Sequence, residues 1–461
     1  MLGLGSKSAL GAGKESTFGT GVVPALSWPI KSETLTADRA SVQSGTLTGS
    51  PFISSSALGI KNANGGVVME NDAKIVGHPM ALWNGLNGVT SVTFASLNYL
   101  NAAAPSGTPG TGGTIAAGTY YYKVAPVLIR TVDSLKTILT ATASSTAQVI
   151  ASTGTCALSW SNPSAFLPGF TQYGTAIYRT DVGGASGTEV YLHTLVGTGT
   201  TYTDTGAVVL GTALPLTATL YRHRMIGLAA ASGVERVNPF SVTVNKDNGD
   251  AERYLGNRMN EMTITSSGGD SAMEVSFSMI GRTVEKVAEF TPVISYSEPI
   301  LGWKGAGFVN GLSPCLFAEA FTITGNNNLQ AIPGFCATPY NRDSSSGTRL
   351  VTGSFTRAFE NHEFWDYVQS GSEFSLQFNC YGEPTRQNGF VDLATSVNPV
   401  AIPFPNFMEI DLFSCRANKA GGNVAGPEYI KEVVEFTAFP NTTQATEMRI
   451  TLCNTVSSYD V

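Results

Sequence analysis

The sequence predicts a mainly β protein: a β-sandwich or partial barrel with an internal duplication and few short helices, carrying a second β-sandwich as an insertion. Three observations predict it. Charged residues make up only 13% of the 461 positions while Gly fills 50 of them, a composition of strands and turns. Apolar and polar residues alternate with a period of two in several runs, giving each strand one apolar and one polar face. Two Gly/Thr/Pro-rich stretches, 102–114 and 198–217, bracket a segment as the stalks of an inserted domain would.

Residues 1–26 read as an N-terminal arm. Its GAGKEST stretch fails as a phosphate loop, because Ser8 stands where the earlier glycine is needed and Glu15 follows Lys14. The core's first half is expected over 27–106 and 217–282, with a short helical turn beginning at His78. Between these pieces, the insert (107–216) holds the strand-like runs TYYYKVAPVLI from Thr119, TCALSW to Trp160, TAIYRT to Thr180 and EVYLHTLV to Val196. Downstream, EMTIT places Met262 and Ile264 on one face, and MEVSFSM does the same for Met273, Val275, Phe277 and Met279. The SSGGDSA turn joins the two runs as a hairpin. A linker is expected over 283–297 and the core's second half over 298–461. There Phe374, Leu376 and Phe378 alternate, as do Met408, Ile410 and Leu412, and then Met448, Ile450 and Leu452. FTRAFENHEFWDYVQSG reads as a helix, with Phe355, Phe359 and the Glu363–Tyr367 turn in helical spacing and Gly371 as its stop. Aligning LWNGL with FWDYV also aligns GGVVMEN with TGSFTRAFEN. The hairpin from Glu261 to Gly281 then answers a closing hairpin from Glu428 to Asn454, which is the basis of the predicted duplication.

Composition also excludes. A net charge of −7 without a Lys/Arg cluster argues against tight nucleic-acid binding. The opening residues carry no apolar run suited to a signal peptide, and no stretch approaches the ~20 apolar residues that span a bilayer. Assembly in a cytoplasm without membrane insertion is the expectation. Cys156, Cys315, Cys336, Cys380, Cys415 and Cys453 are scattered without a CxxC pair and read as reduced and mostly buried. His78, His193, His223 and His362 form no metal-binding pattern, so no cofactor or metal is expected and the protein reads as non-enzymatic. Glu409 and Asp411, two apart on a strand, could in isolation be a hydrolase dyad or calcium ligands; a solvated strand face is the favoured reading. Trp160, Tyr178 and Tyr202 could form a sugar platform, with sandwich-core packing favoured.

GKESTFGT, SETL, the stretch SVTVNKDNGDAERYLGNRMNEMTITSSGGDSAMEVSFSMIGR and GSFTRAFENHEFWDYVQSG together resemble the major tail tube proteins of long-tailed bacteriophages, siphophage-like, by pattern and order over most of the chain. The insert, through GTYYYKVAPV, ALSW, AIYR and TTYTDTG, is similar to the fibronectin type III and immunoglobulin-like modules of phage tails, although its tyrosine-rich strand precedes the tryptophan strand. The resemblance implies a virion structural protein whose long hairpins join those of neighbouring copies into rings, usually hexameric. The rings stack into a conduit for DNA ejection, with the tape measure protein and tail-end proteins as further partners. Six subunits of four strands each, spaced about 4.8 Å and tilted about 40°, would close a backbone ring of about 48 Å diameter, wide enough for duplex DNA. Candidate channel-lining residues are then Glu274, Glu409, Asp411, Glu435 and Glu447. Lys14, Glu15, Ser16, Thr17 and Phe18 are candidate contacts of an arm that orders on stacking. The alternative is a virion decoration protein or adhesin that binds host-surface carbohydrate through the insert.

Overall fold

A computed structural model describes residues 8–43, 56–85, 89–93, 104–130, 136–138, 141–162, 170–215, 221–226, 237–247, 249–293, 298–302, 305–310, 318–333, 339–382, 406–423 and 429–459. They form a mainly antiparallel β protein with two short helices. The first half of the core contains β1 (Ala9–Lys14), β2 (Thr36–Gln43), β3 (Ser56–Glu70), α1 (Gly77–Asn84), β4 (Phe240–Asn245), β5 (Asp250–Ser266), β6 (Glu274–Gly281) and β7 (Thr283–Ala288). The second contains β8 (Gly305–Val309), β9 (Ala318–Asn326), β10 (Leu350–Ala358), α2 (Glu363–Ser370), β11 (Phe374–Tyr381), β12 (Phe407–Asn423), β13 (Lys431–Ala438) and β14 (Arg449–Asn454). Other strands are named by their residues.

The period-two runs become strands whose apolar face is the core. Met262, Ile264, Met273, Val275, Phe277, Met279, Phe374, Leu376, Phe378, Met408, Ile410, Leu412, Met448, Ile450 and Leu452 are all buried in one cluster. The predicted turn at His78 is α1, and Pro79 falls in its first turn, where the missing N–H costs no helical bond. The second helix is shorter than expected. Phe355 lies in β10 and Phe359 just beyond it, because Thr352, Ser354 and Thr356 alternate with Val351 and Phe355 in strand period. Only from Glu363 does the chain coil, packing Phe364 edge-on against Phe355. Gly371 ends the helix at φ 65°, its N–H donating to the Tyr367 carbonyl, as a left-handed cap requires.

The halves share strand order and register. In the first, Thr36, Asn64, Ile280 and Arg258 stand opposite one another across β2, β3, β6 and β5. In the second, Thr324, Thr352, Thr437 and Arg416 do so across β9, β10, β13 and β12. Each long strand carries an extra residue just beyond this row: the β5/β6 register slips between Met259 and Glu261, the β12/β13 register between Ala417 and Lys419. The residue bulged out is an asparagine in both, Asn260 and Asn418. A second slip recurs between Phe240 and Val242 and between Phe374 and Leu376. Two ion pairs recur with their signs exchanged. Arg253–Glu285 joins β5 to β7 where Asp411–Arg449 joins β12 to β14, and Lys31–Glu274 stands where Glu319–Lys431 does.

This register corrects two expectations. The counterpart of the β5–β6 hairpin is β12–β13, not a hairpin from Glu428 to Asn454: β13 and β14 both pair with β12, at its opposite ends. A strand of 17 residues is long enough to hold two successive partners. The expected linker over 283–297 begins with β7, which pairs with the first six residues of β5.

The halves are joined by β5 and β9, paired from Glu261↔Asn326 to Ser266↔Phe321. One antiparallel run therefore crosses both, in the order β2-β3-β6-β5-β9-β10-β13-β12. Each chain supplies eight strands, not the four assumed above.

In the insert, Lys136–Ile138, Tyr122–Arg130, Phe170–Arg179 and Val190–Val196 form one sheet, and Thr201–Asp204, Gly154–Ser159 and Ser106–Ile115 another. Tyr122, Val124, Leu158, Trp160, Ile177 and Leu192 meet in a shared apolar cluster. The stretches expected to be stalks supply edge strands instead. Pro109 lies in Ser106–Ile115, whose only partner among the described residues is Gly154–Ser159, and an edge tolerates a missing donor.

Candidate functional site

The eight-strand run has two unlike faces. One is apolar, with α1 and α2 among the elements packed on it. The other presents hydroxyls: Thr263, Thr265, Ser276, Ser278, Thr322, Thr324, Ser354 and Thr356 are half-exposed in alternation with buried neighbours. Thr263 and Thr324 bridge their hydroxyls at 3.1 Å across the junction between the halves. Such a surface is wettable, and its hydroxyls offer phosphates no positive charge of their own.

Among the candidate channel residues, Glu274 and Glu435 lie on this polar face, each ion-paired with a lysine: Glu274 with Lys31, Glu435 with Lys419 at 2.8 Å. The other three are buried within the protomer rather than presented to solvent. Glu409 and Asp411 share Arg449, which reaches Asp411 at 2.5 Å and Glu409 at 3.6 Å. Glu447 pairs with Arg349 at 2.8 Å. The correction has a plain cause: Glu409 stands between Asn379 of β11 and Thr451 of β14, both buried, and Arg449 compensates the charge of Glu409 and Asp411.

Burial, reinforced by the negative charge of Asp411, pushes the Glu409 carboxyl up to about 8. A carboxyl whose folded pKa lies above its unfolded value of about 4.5 stabilises the fold while protonated, and that contribution is lost as pH rises from about 4.5 through 8. Glu409→Gln should therefore raise the melting temperature relative to the native chain more at pH 9 than at pH 5. Equal differences at both would show that Glu409 does not titrate in this window.

The N-terminal candidates are also built in, which corrects the expectation of a mobile arm here. β1 pairs along its length with β4, and its centre also with Leu26–Trp28. Glu15 is buried, accepting hydrogen bonds from the Gly19 and Gly256 amides and the Ser241 hydroxyl; desolvation nevertheless raises its pKa. Phe18 lies beneath the guanidinium groups of Arg258 and Arg282. Lys14, Ser16 and Thr17 complete this connection. In the insert, Trp160 and Tyr178 are buried and Tyr202 packs against the same core as Trp160, so these three rings do not form an open platform.

The run ends in two open edges. All described side chains of β2 are exposed, and β3 is its only partner among the described residues. Beyond Cys415, β12 has β13 on one side and, among the described residues, nothing on the other. Exposed strand edges are pairing templates that a monomeric protein would cover or blunt. Exposed apolar side chains lie by both edges: Val42 (56%) and Leu58 (67%) near β2, and Trp365 on α2, which packs against β12.

The family model described as phage tail tube protein matches residues 5–438. The chain belongs to the phage tail tube protein family. No curated protein matches it. The tube protein is thus a structural component of the virion tail, not an enzyme, and it self-assembles into the tail tube. Its open edges and two-faced sheet are the features such assembly calls for. Sequence reasoning missed Arg258, Arg449 and Trp83, which organise the ion pairs and the junction. A signal existed for the first: Arg-x-Asn occurs in both RMNE (258–261) and RANK (416–419), at the same point of two long strands.

Proposed function

We propose that the tube protein forms stacked rings carrying six copies of a duplicated tube repeat, with the hydroxyl-rich face of the eight-strand run lining the channel for DNA. The observation that carries this reading is the run itself: continuous through both halves, apolar on one face and hydroxyl-rich with paired charges on the other, and, among the described residues, open at both ends. The shared registers and bulges support reading the core as two copies of one unit. The insert is an immunoglobulin-like sandwich, and the tape measure protein and tail-end proteins are the tube's other contacts, as in the siphophage-like tails this chain resembles.

Glu274 and Glu435 neutralise Lys31 and Lys419 on the channel face, keeping it free of net positive charge. Virions carrying Glu274→Gln with Glu435→Gln should keep intact tubes and release DNA several-fold more slowly, read by fluorescent-dye entry or light scattering after triggering. Ejection at the native rate from intact tubes would remove these residues from the channel.

A further inference from the structure

The junction between the halves is a template for a contact that the described residues of the single chain leave unmade. Within the chain, β9 of the second half adds to the β5 edge of the first. By the shared register, β2 corresponds to β9 and β12 to β5, and the available edges of β2 and β12 are the two open ends of the run. We propose that β2 of one chain adds antiparallel to the free half of β12 in a second copy, in the β9–β5 register, so that three chains close each ring. The inference rests on the tube reading and specifies how the tube is built.

The register can be written residue by residue. Thr324 stands opposite Thr263, five positions beyond Arg258; in β12 the fifth position beyond Arg416 is Gly421, so Thr36 faces Gly421. Ala37 then faces Ala420, and Asp38 faces Lys419. Inside the chain the last place is held by Asn326 and Glu261, whose side chains hydrogen-bond at 2.9 Å. Between chains the same place holds an acid and a base, a favourable cross-strand pair. Small residues at the other two places let the backbones approach.

Two further observations fit. The β9–β10 hairpin continues into Gln330–Pro333 and Asn341–Ser345, which reach back to the first half: Arg258 bonds the Ser344 hydroxyl at 3.1 Å and Asp343 at 2.8 Å. Arg258 is 2% exposed there, whereas its counterpart Arg416 is 55% exposed. Counting back eight positions from the aligned row gives Ser344 from Thr352 and Ser56 from Asn64, so Ser56 of the added hairpin would meet Arg416. The helices differ in the same sense. All eight residues of α1, beside the made junction, are buried, while α2, beside the unmade one, buries only Phe364.

Strand geometry sets the number of chains. Eight strands per chain, spaced about 4.8 Å and tilted about 40°, give three chains about 24 strands and a backbone diameter of about 48 Å; six chains would give about twice that. Three chains carry the six repeats of the ring, with threefold rather than sixfold exact symmetry.

The test is a full-length chain with Asp38→Cys and Lys419→Cys, both exposed positions, beside each single variant. Directly opposed antiparallel residues lie about 4.5–5.5 Å apart at Cα, within disulfide reach. Four native cysteines, Cys156, Cys380, Cys415 and Cys453, are buried and free, and the single variants control for background oxidation. After mild oxidation of assembled tubes, non-reducing electrophoresis should show a ladder ending at three chains, absent from the single variants. Electron microscopy of unmodified tubes should give threefold symmetry with a pseudo-sixfold repeat. A ladder continuing to six, tubes without cross-links, or exact sixfold symmetry would overturn the interface. Failure of the unmodified chain to form any ring would overturn the tube reading beneath it.

Discussion

A Glu432→Val chain should lose about 3–5 kcal/mol of stability, and adding Arg357→Met should restore most of it. Arg357 and Glu432 stand opposite each other on β10 and β13, both buried, with Nε and Oε2 2.8 Å apart. The guanidinium also lies 4.4 Å from the centre of the Phe364 ring. Removing the carboxylate leaves the buried cation only the Asn361 side-chain oxygen at 3.3 Å and the more exposed Glu363 carboxylate at 4.0 Å, which costs more than the intact pair contributes. The first half supplies the control, since the corresponding positions on β3 and β6 hold Met69 opposite Val275, again both buried. One sheet position thus accepts either an apolar pair or an ion pair, but not half of each. Urea denaturation of the native, single and double variants would measure this. A double variant as unstable as the single would show that the surroundings have become specific for charge.

Trp83→Ala should cost a similar amount, about 3–5 kcal/mol, as expected for emptying a fully buried large aromatic site. The indole closes the junction between the halves. It lies over Gly325 of β9 so closely that a Cβ there would come within 2.3 Å of its ring, and Arg349 covers it at 3.7 Å. The Trp83 carbonyl accepts the Asn327 side-chain amide at 2.9 Å. Gly325→Val attacks the same contact from the other side and should also lower the melting temperature, by overpacking rather than by a cavity. Thermal unfolding together with limited proteolysis would separate loosening of the junction from global unfolding. Unchanged melting in both variants would mean that the junction does not depend on this ring.

The sequence was informative wherever period-two alternation fixed a face. Met262 to Met279, Phe374 to Phe378 and Met448 to Leu452 all point as their pattern requires. It misled where the decision belonged to distant partners. Glu409 and Asp411 look solvated on β12 until Arg449, 38 positions beyond Asp411, arrives to neutralise them. The β1 segment looks like a tail because its Gly and Ala residues carry little apolar signal, yet its backbone pairs with β4 and Leu26–Trp28 while Gly11 leaves room for Pro24 and Phe290. Phe355 could sit on a helix or a strand by spacing alone, and β13 settled which. An outline of two similar halves could be drawn from the sequence, but the register they share rests on pairings and on the bulges at Asn260 and Asn418.

The exchanged ion pairs bear on how such a chain avoids folding wrongly. Two halves with the same strand order and register in one polypeptide invite strands to trade places, within a chain or between crowded copies during assembly. Were β7 to settle on β12, Glu285 would face Asp411; were β14 to settle on β5, Arg449 would face Arg253. A swap at the other site would set Lys31 against Lys431 and Glu319 against Glu274. Each strand in place meets an opposite charge and each exchanged strand would meet a like one, an arrangement that disfavours exchange between the halves.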